Sequence, residues 1–451
     1  MRKMTPRILM ALIATLVISA PEGFARNSES TQTAEPIRLT VAPNVSTPIA
    51  MKTVPQATCV LHAVGTANVE HSLKLFANDE GMVRFHVRPS AQSDQAVRFD
   101  VDCTAEGKVS VFPLHLRSSS SPTADIPAPG FEAEKSPTQG LIRPALTEDE
   151  ASQLTIEQLA ERGYPVRPDP DKAPDAFKTW LKAVTKPSRF VSPRLVPHPD
   201  IRHTVRQVTN GFENLNTWSG FELRGAANSY DFVMGEWRVP PVSGELDQTV
   251  YSAFWIGLDG DGTSDLVQAG TEQNNTSIYV PFPYPISFDF STYFAWTEFL
   301  PQQQSEQVIP GLTVNAGDLM FCEVWIGNPG SPVSLSGADG IFLVENLSRS
   351  EYTTIYTPKG GTYVGAYEAE WIMERPTLLY SNGTQSPSDL ADYDAATMTE
   401  AYAHVANGGF GFVSYDGANY EQIAMYNGND LLSFVFPVNS SAMVFYWQNF
   451  H

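Results

Sequence analysis

The 451-residue sequence predicts an all-β protein whose largest part is a two-sheet antiparallel β-sandwich. Beyond residue 204, short apolar and aromatic runs alternate with Gly, Asn, Asp and Pro, the pattern of short strands joined by turns. The clearest hairpin, FWIGLDGDGTSDLVQAG at 254–270, has an Asp/Gly turn between two apolar runs. The spacing of apolar residues in 389–406 also fits a helix, so the pattern does not decide between helix and strand for that segment.

The expected strands of this C-terminal domain, residues 204–451, are rich in the β-branched and aromatic residues that pleated sheets favour. They are Tyr230–Val239, Thr249–Leu258, Ile286–Trp296, Leu319–Ile326, Gly340–Asn346, Thr362–Met373, Phe410–Ser414 and Met443–Trp447. Two packed sheets are the natural way for this many short strands to bury one face each.

The N-terminal region predicts a small β-sandwich-like domain over residues 26–117. Its strand-like runs are Cys59–Val64, Ser72–Phe76, Met82–Arg88, Val97–Cys103 and Lys108–Leu116. Cys59 and Cys103 both fall in such runs, and an exported chain permits a disulfide between them. Cys322 is left over and is expected to be a buried thiol. A cysteine peptidase would need a positioned His beside it, which the sequence does not suggest.

Residues 1–25 have the composition of a secretory signal peptide. Arg2, Lys3 and Arg7 precede an apolar run at 8–20 and a small-x-Ala site, so cleavage is expected after Ala25. The apolar run is shorter than the roughly 18 residues that a transmembrane helix needs. The mature protein is therefore expected to be secreted, extracellular and not held in a membrane.

Residues 118–203 predict a Ser/Pro-rich linker followed by a partly helical, basic prosegment. Thr147 and Glu150 form a capping box that opens a helix to about Arg162. A second helix is expected at Ala176–Val184, where apolar residues recur with helical spacing.

The net charge of −21 lies almost entirely in the C-terminal domain, where residues 204–451 carry six basic and 28 acidic residues. The negative potential of this domain repels nucleic acid and anionic membranes, so neither is expected as a partner. The protein is expected to be a monomer. Protonation of carboxylates would relieve the self-repulsion, which suits a protein that works in acid.

Residues 161–203, by contrast, carry nine basic and five acidic residues. Charge complementarity suggests that this segment docks on the acidic domain as a regulatory prosegment, with a plain linker as the open alternative. On that hypothesis the segment is released as the carboxylates become protonated, and is then cut away.

Two polar residues stand out in otherwise apolar strands. Gln268 lies in LVQAG between residues small enough to leave room for a partner. In YEAEWIMERP at 367–376, strand alternation puts Ala369 and Trp371 on the core side and Glu370 on the opposite face. A Gln and a Glu in such positions can serve one site.

Six short motifs occur in order along the C-terminal domain. They are Trp218-Ser219-Gly220, Gly235-Glu236-Trp237-Arg238-Val239-Pro240, Trp255-Ile256-Gly257-Leu258-Asp259-Gly260, Leu266-Val267-Gln268-Ala269-Gly270, Ala295-Trp296-Thr297-Glu298 and Ala369-Glu370-Trp371-Ile372. With these motifs the chain, from about 216 to 448, resembles the glutamic peptidases, or eqolisins. The resemblance implies a concanavalin A-like β-sandwich (jelly roll) and a pepstatin-insensitive acid endopeptidase that acts on polypeptides.

The resemblance implies that Gln268 and Glu370 are the catalytic dyad. It also implies a substrate-binding set, comprising Trp218, Trp255, Asp259, Glu272, Trp296 and Glu298. Three departures from the family pattern are visible: Thr217 intervenes after Asn216, Glu272 stands where fungal members carry Asp, and the disulfide cysteines of the fungal members are absent.

The chemistry of the two residue types agrees with these roles. A carboxylate can take a proton from a water that attacks a peptide carbonyl, and a carboxamide can donate to the oxyanion that forms. An ordinary Glu has a pKa of about 4.3, so its base form persists in mild acid. No cofactor and no metal are expected for this reaction.

Other site chemistries fit the sequence less well. Asp259, Asp261 and Asp265 imitate a calcium loop, but the twelfth position is Gly270 instead of Glu. A carbohydrate-active jelly roll could use Glu298 and Glu370 as its two carboxylates, and a lectin-like protein could use the tryptophans alone. These two remain alternatives to the peptidase.

Overall fold

A computed structural model describes residues 16–18, 32–33, 36–64, 70–119, 142–171, 174–205, 217–281, 285–327, 339–358, 364–405, 412–414 and 420–451. The predicted signal peptide lies outside these residues, except for a three-residue strand. The chain divides into two compact units. The first comprises Met1–His62, Lys74–Lys135 and Pro281–Phe288, and the second Ala63–Leu73, Ser136–Val280 and Asp289–His451.

Nine strands are described before the linker. They are β1 (Leu16–Ile18), β2 (Gln32–Thr33), β3 (Ile37–Val41), β4 (Thr47–Lys52), β5 (Thr58–Val64), β6 (Glu70–Phe76), β7 (Met82–Pro89), β8 (Ser93–Ala105) and β9 (Lys108–Ser118). In the first unit β8 pairs antiparallel with both β5 and β9, and β3 lies parallel beside β9. The β5–β8 register sets Cys59 opposite Cys103, and a disulfide joins them.

Three helices follow: α1 (Glu148–Gln153), α2 (Ile156–Glu161) and α3 (Pro174–Val184). The capping box at Thr147 and Glu150 is present, but the expected single helix to about Arg162 is two helices. Thr155 and Gln158 repeat the same reciprocal hydrogen bonds between side chain and backbone, so a second helix begins where the first ends.

The strands of the second unit follow from residue 142 onward. They are β10 (Ile142–Arg143), β11 (Ser188–Phe190), β12 (Val196–Pro197), β13 (Ile201–Arg202), β14 (Trp218–Arg224), β15 (Tyr230–Arg238), β16 (Gln248–Leu258), β17 (Leu266–Val280), β18 (Ile286–Leu300), β19 (Gln307–Val308), β20 (Leu319–Ile326), β21 (Gly340–Asn346), β22 (Glu351–Thr357), β23 (Glu368–Glu374), β24 (Thr377–Leu379), β25 (Gln385–Pro387), β26 (Ala395–Val405), β27 (Phe412–Ser414), β28 (Tyr420–Ile423), β29 (Met425–Asn427), β30 (Asp430–Asn439) and β31 (Ala442–Trp447). The segment that the pattern left open, 389–406, thus contains a strand. Within the described residues, no helix is long and apolar enough to cross a membrane.

The second unit is the predicted two-sheet sandwich. Its first sheet has the strand order β18-β17-β16-β23-β14-β28, and its second has β22-β21-β20-β15-β26-β31-β30. Strand alternation sends the apolar residues of both sheets into one shared core, which includes Phe254, Ile256 and Val267 from the first sheet and Val233 and Val324 from the second.

Polar atoms of the core tryptophans fix the two sheets against each other. The indole N–H of Trp371 donates to the carbonyl of Met234 at 2.9 Å, and that of Trp237 donates to the Thr271 hydroxyl at 3.0 Å. Each bond joins one sheet to the other, and each satisfies a buried donor. Trp371 therefore anchors β23, the strand that carries Glu370.

Residues from the predicted prosegment are packed on the outer face of the second sheet. Val166 and Ala176 join a cluster of apolar side chains from that face, and the Val166 amide donates to the buried Glu323 carboxylate at 3.0 Å. Arg143 is fully buried, 2.7 Å from Glu345, with its guanidinium over the Tyr352 ring. Within the second unit, the segment and the sandwich thus share a packed interface.

The buried pair of Arg143 and Glu345 yields a stability prediction. Arg143→Met should lower the free energy of unfolding of the second unit by about 3–5 kcal/mol, because it leaves a buried carboxylate without its cation. Arg143→Met combined with Glu345→Leu should recover most of that loss. Denaturant titration followed by tryptophan fluorescence measures both changes.

The matched control is Arg189→Met, because Arg189 pairs with Glu351 at 2.6 Å but keeps 27% of its side chain exposed. Its loss should cost at most about 1 kcal/mol. Equal effects of the Arg143 and Arg189 changes would contradict the importance of the buried pair.

Candidate active site

The face of the first sheet that points away from the core is unusually polar, and we call it the groove face. It is defined by the side chains that alternate with the core residues on five neighbouring strands. All are fully buried: Trp218 and Glu222 on β14, Trp255 on β16, Gln268 and Glu272 on β17, Trp296 and Glu298 on β18, and Glu370, Ile372 and Glu374 on β23.

Gln268 and Glu370 lie in one row across the groove face. Gly257 of β16 pairs with Gln268 on one side and with Glu370 on the other. Because residue 257 is a glycine, β16 has no side chain at this position of the row. Two strand spacings separate their backbones by about 10 Å. A Cβ on residue 257 would lie 2.8 Å from the Trp255 ring, so the packing favours glycine there. The two side chains thus lie on one face, two strands apart, with no side chain from residue 257 between them.

Glu298 holds the Gln268 side chain. The amide Nε2 of Gln268 donates to Glu298 Oε2 at 2.9 Å, which fixes the orientation of the carboxamide and leaves it a second N–H. Burial raises the pKa of Glu298 to about 8; His203 lowers it, whereas Glu306 and Glu374 raise it. Glu298 is therefore protonated at neutral and acid pH.

Two tryptophans and Glu374 form the next part of the groove face. Trp255 packs edge-on against Trp218 with 5.0 Å between ring centroids. Its indole N–H donates to Glu374 Oε2 at 2.9 Å. Glu374 lies four residues after Glu370 and on the same face of β23, so both carboxylates belong to one surface.

Asp259 holds the loop that leads into β23. Its carboxylate accepts the backbone N–H groups of Ala366 and Tyr367 at 2.5 and 2.6 Å, and that of Glu368 at 3.2 Å. Burial and a hydrogen bond shared with Asp265 raise its pKa well above the ordinary value. The structure thus places Asp259 as a support for the strand start two residues before Glu370.

A histidine from the predicted prosegment lies on the groove face. The fully buried ring of His203 stacks on Trp296 with centroids 4.0 Å apart and planes inclined by 12°. Its Nδ1 lies 2.8 Å from Glu374 Oε2, and its Nε2 lies 3.1 Å from Glu306 Oε2. Burial lowers the pKa of this imidazole, but the carboxylates outweigh burial and raise the pKa well above its ordinary value.

Among the residues that the structure describes, two groups of side chains have the composition of a cation site, with ligand atoms within 4.8 Å of one another. They are His198, Glu272 and Glu306, and Glu222, Asp261 and Glu421.

We assign neither group to a metal. In the second group, Arg224 already pairs with all three carboxylates, those of Glu222, Asp261 and Glu421. In the group of His198, Glu272 and Glu306, burial and the neighbouring Glu306 carboxylate raise the pKa of Glu272 well above its ordinary value. Glu272 therefore holds a proton.

A comparison with known protein families covers the strands of the groove face. The model of the Peptidase A4 family matches residues 216–446, which include the five strands of the groove face. The chain belongs to this family, the glutamic peptidases. It is accordingly a hydrolase of peptide bonds, and membership favours this activity over the carbohydrate-active and lectin-like alternatives.

Solved structures of the family are similar to the glutamic peptidase described here. Scytalido-glutamic peptidase, solved with a transition state analog inhibitor, has a TM-score of 0.41 and 20% identity, covering 51% of this chain and 98% of its own. SCP-B, an eqolisin solved with the tripeptide Ala-Ile-His, has a TM-score of 0.39 with the same identity and coverage. No protein with a curated description matches the chain.

Sequence reasoning did not identify three of the residues that meet here. Strand alternation could have identified Glu374, because it follows Glu370 by an even number of residues in one strand. Glu306 lies in the turn after β18, and His203 lies more than 60 residues before Gln268, so neither carries a local signal. Tertiary structure alone brings these two to the groove face.

The raised pKa of Glu298 predicts how stability depends on pH. The folded state holds a proton there up to about pH 8, whereas the unfolded chain releases it near the ordinary pKa of 4.5. This contribution is fully present below about pH 4.5 and is lost as the pH rises towards 8. Glu298→Gln should therefore flatten the fall of the unfolding midpoint between pH 5 and pH 8.

Urea titrations of both proteins at the two pH values measure this effect. Glu351→Gln, a change outside the groove face, should leave the slope as it is. An unchanged slope in Glu298→Gln would contradict the protonated state of Glu298.

Proposed function

We propose that this glutamic peptidase is a secreted, pepstatin-insensitive acid endopeptidase with Gln268 and Glu370 as its catalytic dyad. The observation that carries the proposal is the row through Gly257, which puts Gln268 and Glu370 on one face, two strands apart, with no side chain from residue 257 between them. A peptide carbonyl bound over this row would be within reach of both a carboxylate and an amide donor.

The proposed reaction uses the two side chains in sequence. Glu370 takes a proton from a water whose oxygen attacks the carbonyl carbon, and the carbonyl oxygen becomes an oxyanion. The second N–H of the Gln268 amide donates to that oxyanion. Glu370 then gives its proton to the leaving nitrogen as the C–N bond breaks, which returns the carboxylate and releases an acid and an amine.

Glu298 supports this role of Gln268. Because it is protonated at working pH, it accepts from the amide without adding a negative charge beside the developing oxyanion. A charged Glu298 would repel that oxyanion at close range. The tryptophans of the groove face would exclude water from the same space.

Export is proposed from the composition of residues 1–25. A signal peptide cleaved after Ala25 would give a mature chain that begins at Arg26. Mass spectrometry of the N-terminal peptide from the culture medium of a secreting host should find this terminus. Retention of Met1 on the exported protein would contradict it.

The dyad is tested by cleavage of a denatured protein at about pH 4, near the ordinary Glu pKa. The processed enzyme should cleave in the presence of pepstatin. Gln268→Ala should lower kcat by about 100- to 1,000-fold, the usual cost of an oxyanion donor. Glu370→Gln should lose activity altogether, because the amide cannot accept the proton.

The matched control is Gln385→Ala, which removes an exposed amide on β25 and should retain full activity. Far-UV circular dichroism should show that all variants are folded. Unchanged cleavage by Glu370→Gln would exclude this dyad, and binding of polysaccharides would then be measured for the folded protein.

A further inference from the structure

Both members of the proposed dyad lie near the start of a strand, at the same end of the first sheet. Gln268 is the third residue of β17, and Glu370 is the third residue of β23. Backbone hydrogen bonds near the end of a strand open more readily than those at its centre. The position of one side chain relative to the other therefore depends on what holds the chain just before each strand.

Asp259 and Asp265 flank the turn that joins β16 to β17, and their carboxylates bind the chain that leads into β23. Four successive backbone amides, those of residues 365–368, donate to them. The Gly365 amide donates to Asp265 Oδ2 at 2.8 Å, and the three amides that follow donate to Asp259. Consecutive N–H groups of this kind form a concavity that binds anions, so carboxylates are suitable partners for this part of the chain.

Residues 364–367, which we call the entry loop, are held along both edges. Ala366 has a φ of 53° and Asp259 a φ of 64°, both in the left-handed region that residues other than glycine seldom adopt. Such conformations persist where surrounding contacts fix them. The Ala366 amide donates to Asp259, and its carbonyl accepts the amides of Ser229 and Tyr230 at 2.8 and 3.1 Å.

Asp265 makes a second contact, a hydrogen bond to Asp259, and both carboxyl groups are buried. Two carboxyl groups can share a hydrogen bond only when one of them carries a proton. Burial and the contact with Asp265 raise the pKa of Asp259 well above its ordinary value, so the pair holds a proton in mild acid. The shared proton connects the turn before Gln268 to the entry loop before Glu370.

We propose that Asp265 is a positioning residue of the proposed dyad: through Gly365 and Asp259 it fixes the start of β17 against the start of β23. It thereby sets the position of Gln268 relative to Glu370. Asp259 and Asp265, which imitate part of a calcium loop in the sequence, bind backbone amides and a proton on this assignment. The inference rests on the proposed function, because it assigns a role in the same dyad.

Strand pairing and the contacts of Asp265 act at different scales. Pairing of β16 with β17 and β23 fixes the register of the dyad. Small displacements remain open to residues near a strand end, and a misplacement of about 1 Å can cost a catalytic site about 100-fold in rate. The contacts of Asp265 oppose such displacements, because they join the two strand starts directly.

Other charged groups lie around the turn and enter the pH dependence of the pair. They are Asp261 from the same turn, Glu368 from β23, Arg224 and Glu222 from β14, and Glu421 from β28. Arg224 contacts all four of these carboxylates. The carboxylates disfavour a second negative charge on the aspartate pair, and Arg224 offsets part of that effect.

The linkage between the shared hydrogen bond and pH follows from the raised pKa of Asp259. The contribution of this bond is fully present below the ordinary Asp pKa of 3.8. It is lost as the pH rises through the raised pKa of the buried group. The hold on the entry loop is therefore strongest in acid, where an acid endopeptidase works.

Hydrogen exchange in the full chain measures the hold on the entry loop directly. At about pH 4, Asp265→Ala should lower the protection of amides 365–368 by about tenfold or more, because it removes both contacts. Asp265→Asn keeps an acceptor for the Gly365 amide and has an N–H donor for Asp259, so protection should stay within about twofold of the wild type. Equal protection in the wild type and Asp265→Ala would overturn the proposal.

The matched control is Asp247→Ala, at the opposite end of the same hairpin. Asp247 Oδ1 accepts the Tyr279 amide at 2.9 Å, so this variant also removes a carboxylate from a backbone amide. It should leave both the protection of amides 365–368 and the rate of cleavage unchanged. Loss of protection at these amides as large as in Asp265→Ala would show a general effect on the sheet and would overturn the proposal.

The pH series separates positioning from folding and decides the matter if Asp265→Ala does not fold. Protection of amides 365–368 is corrected for intrinsic exchange and compared with that of residues 275–280 at the far end of β17. In the wild type this ratio should fall as the pH rises from about 4 to about 8, because the shared proton is lost. In Asp265→Asn the side-chain amide replaces that proton, so the ratio should change by less than about twofold. The same dependence in both proteins would overturn the proposal.

Cleavage of a denatured protein at about pH 4 measures the catalytic consequence. Asp265→Ala should lower kcat by about tenfold to 100-fold with KM within about twofold, because it displaces the dyad and leaves substrate binding as it is. Asp265→Asn should keep kcat within about threefold of the wild type. Lost protection with a normal kcat in Asp265→Ala would overturn the positioning role. Protection that changes as expected, in a wild type that cleaves nothing, would refute the peptidase dyad instead.

Discussion

Burial of carboxylates on one face of a β-sheet is the constraint on which the rest of this structure depends. Glu298, Glu370 and Glu374 have no exposed surface, although they lie on neighbouring parts of the groove face. Carboxylates this close cannot all be ionised in a site with little water. A proton on Glu298 removes one negative charge, and the indole N–H of Trp255 and the imidazole of His203 both bind the Glu374 carboxylate.

The same constraint connects the scaffold to the chemistry. The core tryptophans Trp237 and Trp371 hold the two sheets together, and Asp259 holds the loop at the start of β23. These contacts fix the position and register of the strand that carries Glu370, and the proposed dyad requires such precision, to within a fraction of an ångström.

The segment before the sandwich takes part in both of its surfaces. Arg143 and Val166 are packed against the outer face of the second sheet, and His203 reaches the groove face of the first. Net charge predicted docking between a basic segment and an acidic domain, but it could not predict that a buried imidazole binds two carboxylates there, those of Glu306 and Glu374.

The sequence by itself determined most of the strands, the sandwich and the family, because period-two alternation and short motifs such as VQAG and AEWI are local properties of the chain. It also predicted that Gln268 and Glu370 lie on strand faces away from the core. Tertiary structure alone decided that Gly257 separates them, that Glu298 orients Gln268, and that His203 lies on Trp296. Contacts between residues far apart in sequence depend on strand order and on the path of the chain over the sheets, and neither leaves a local pattern.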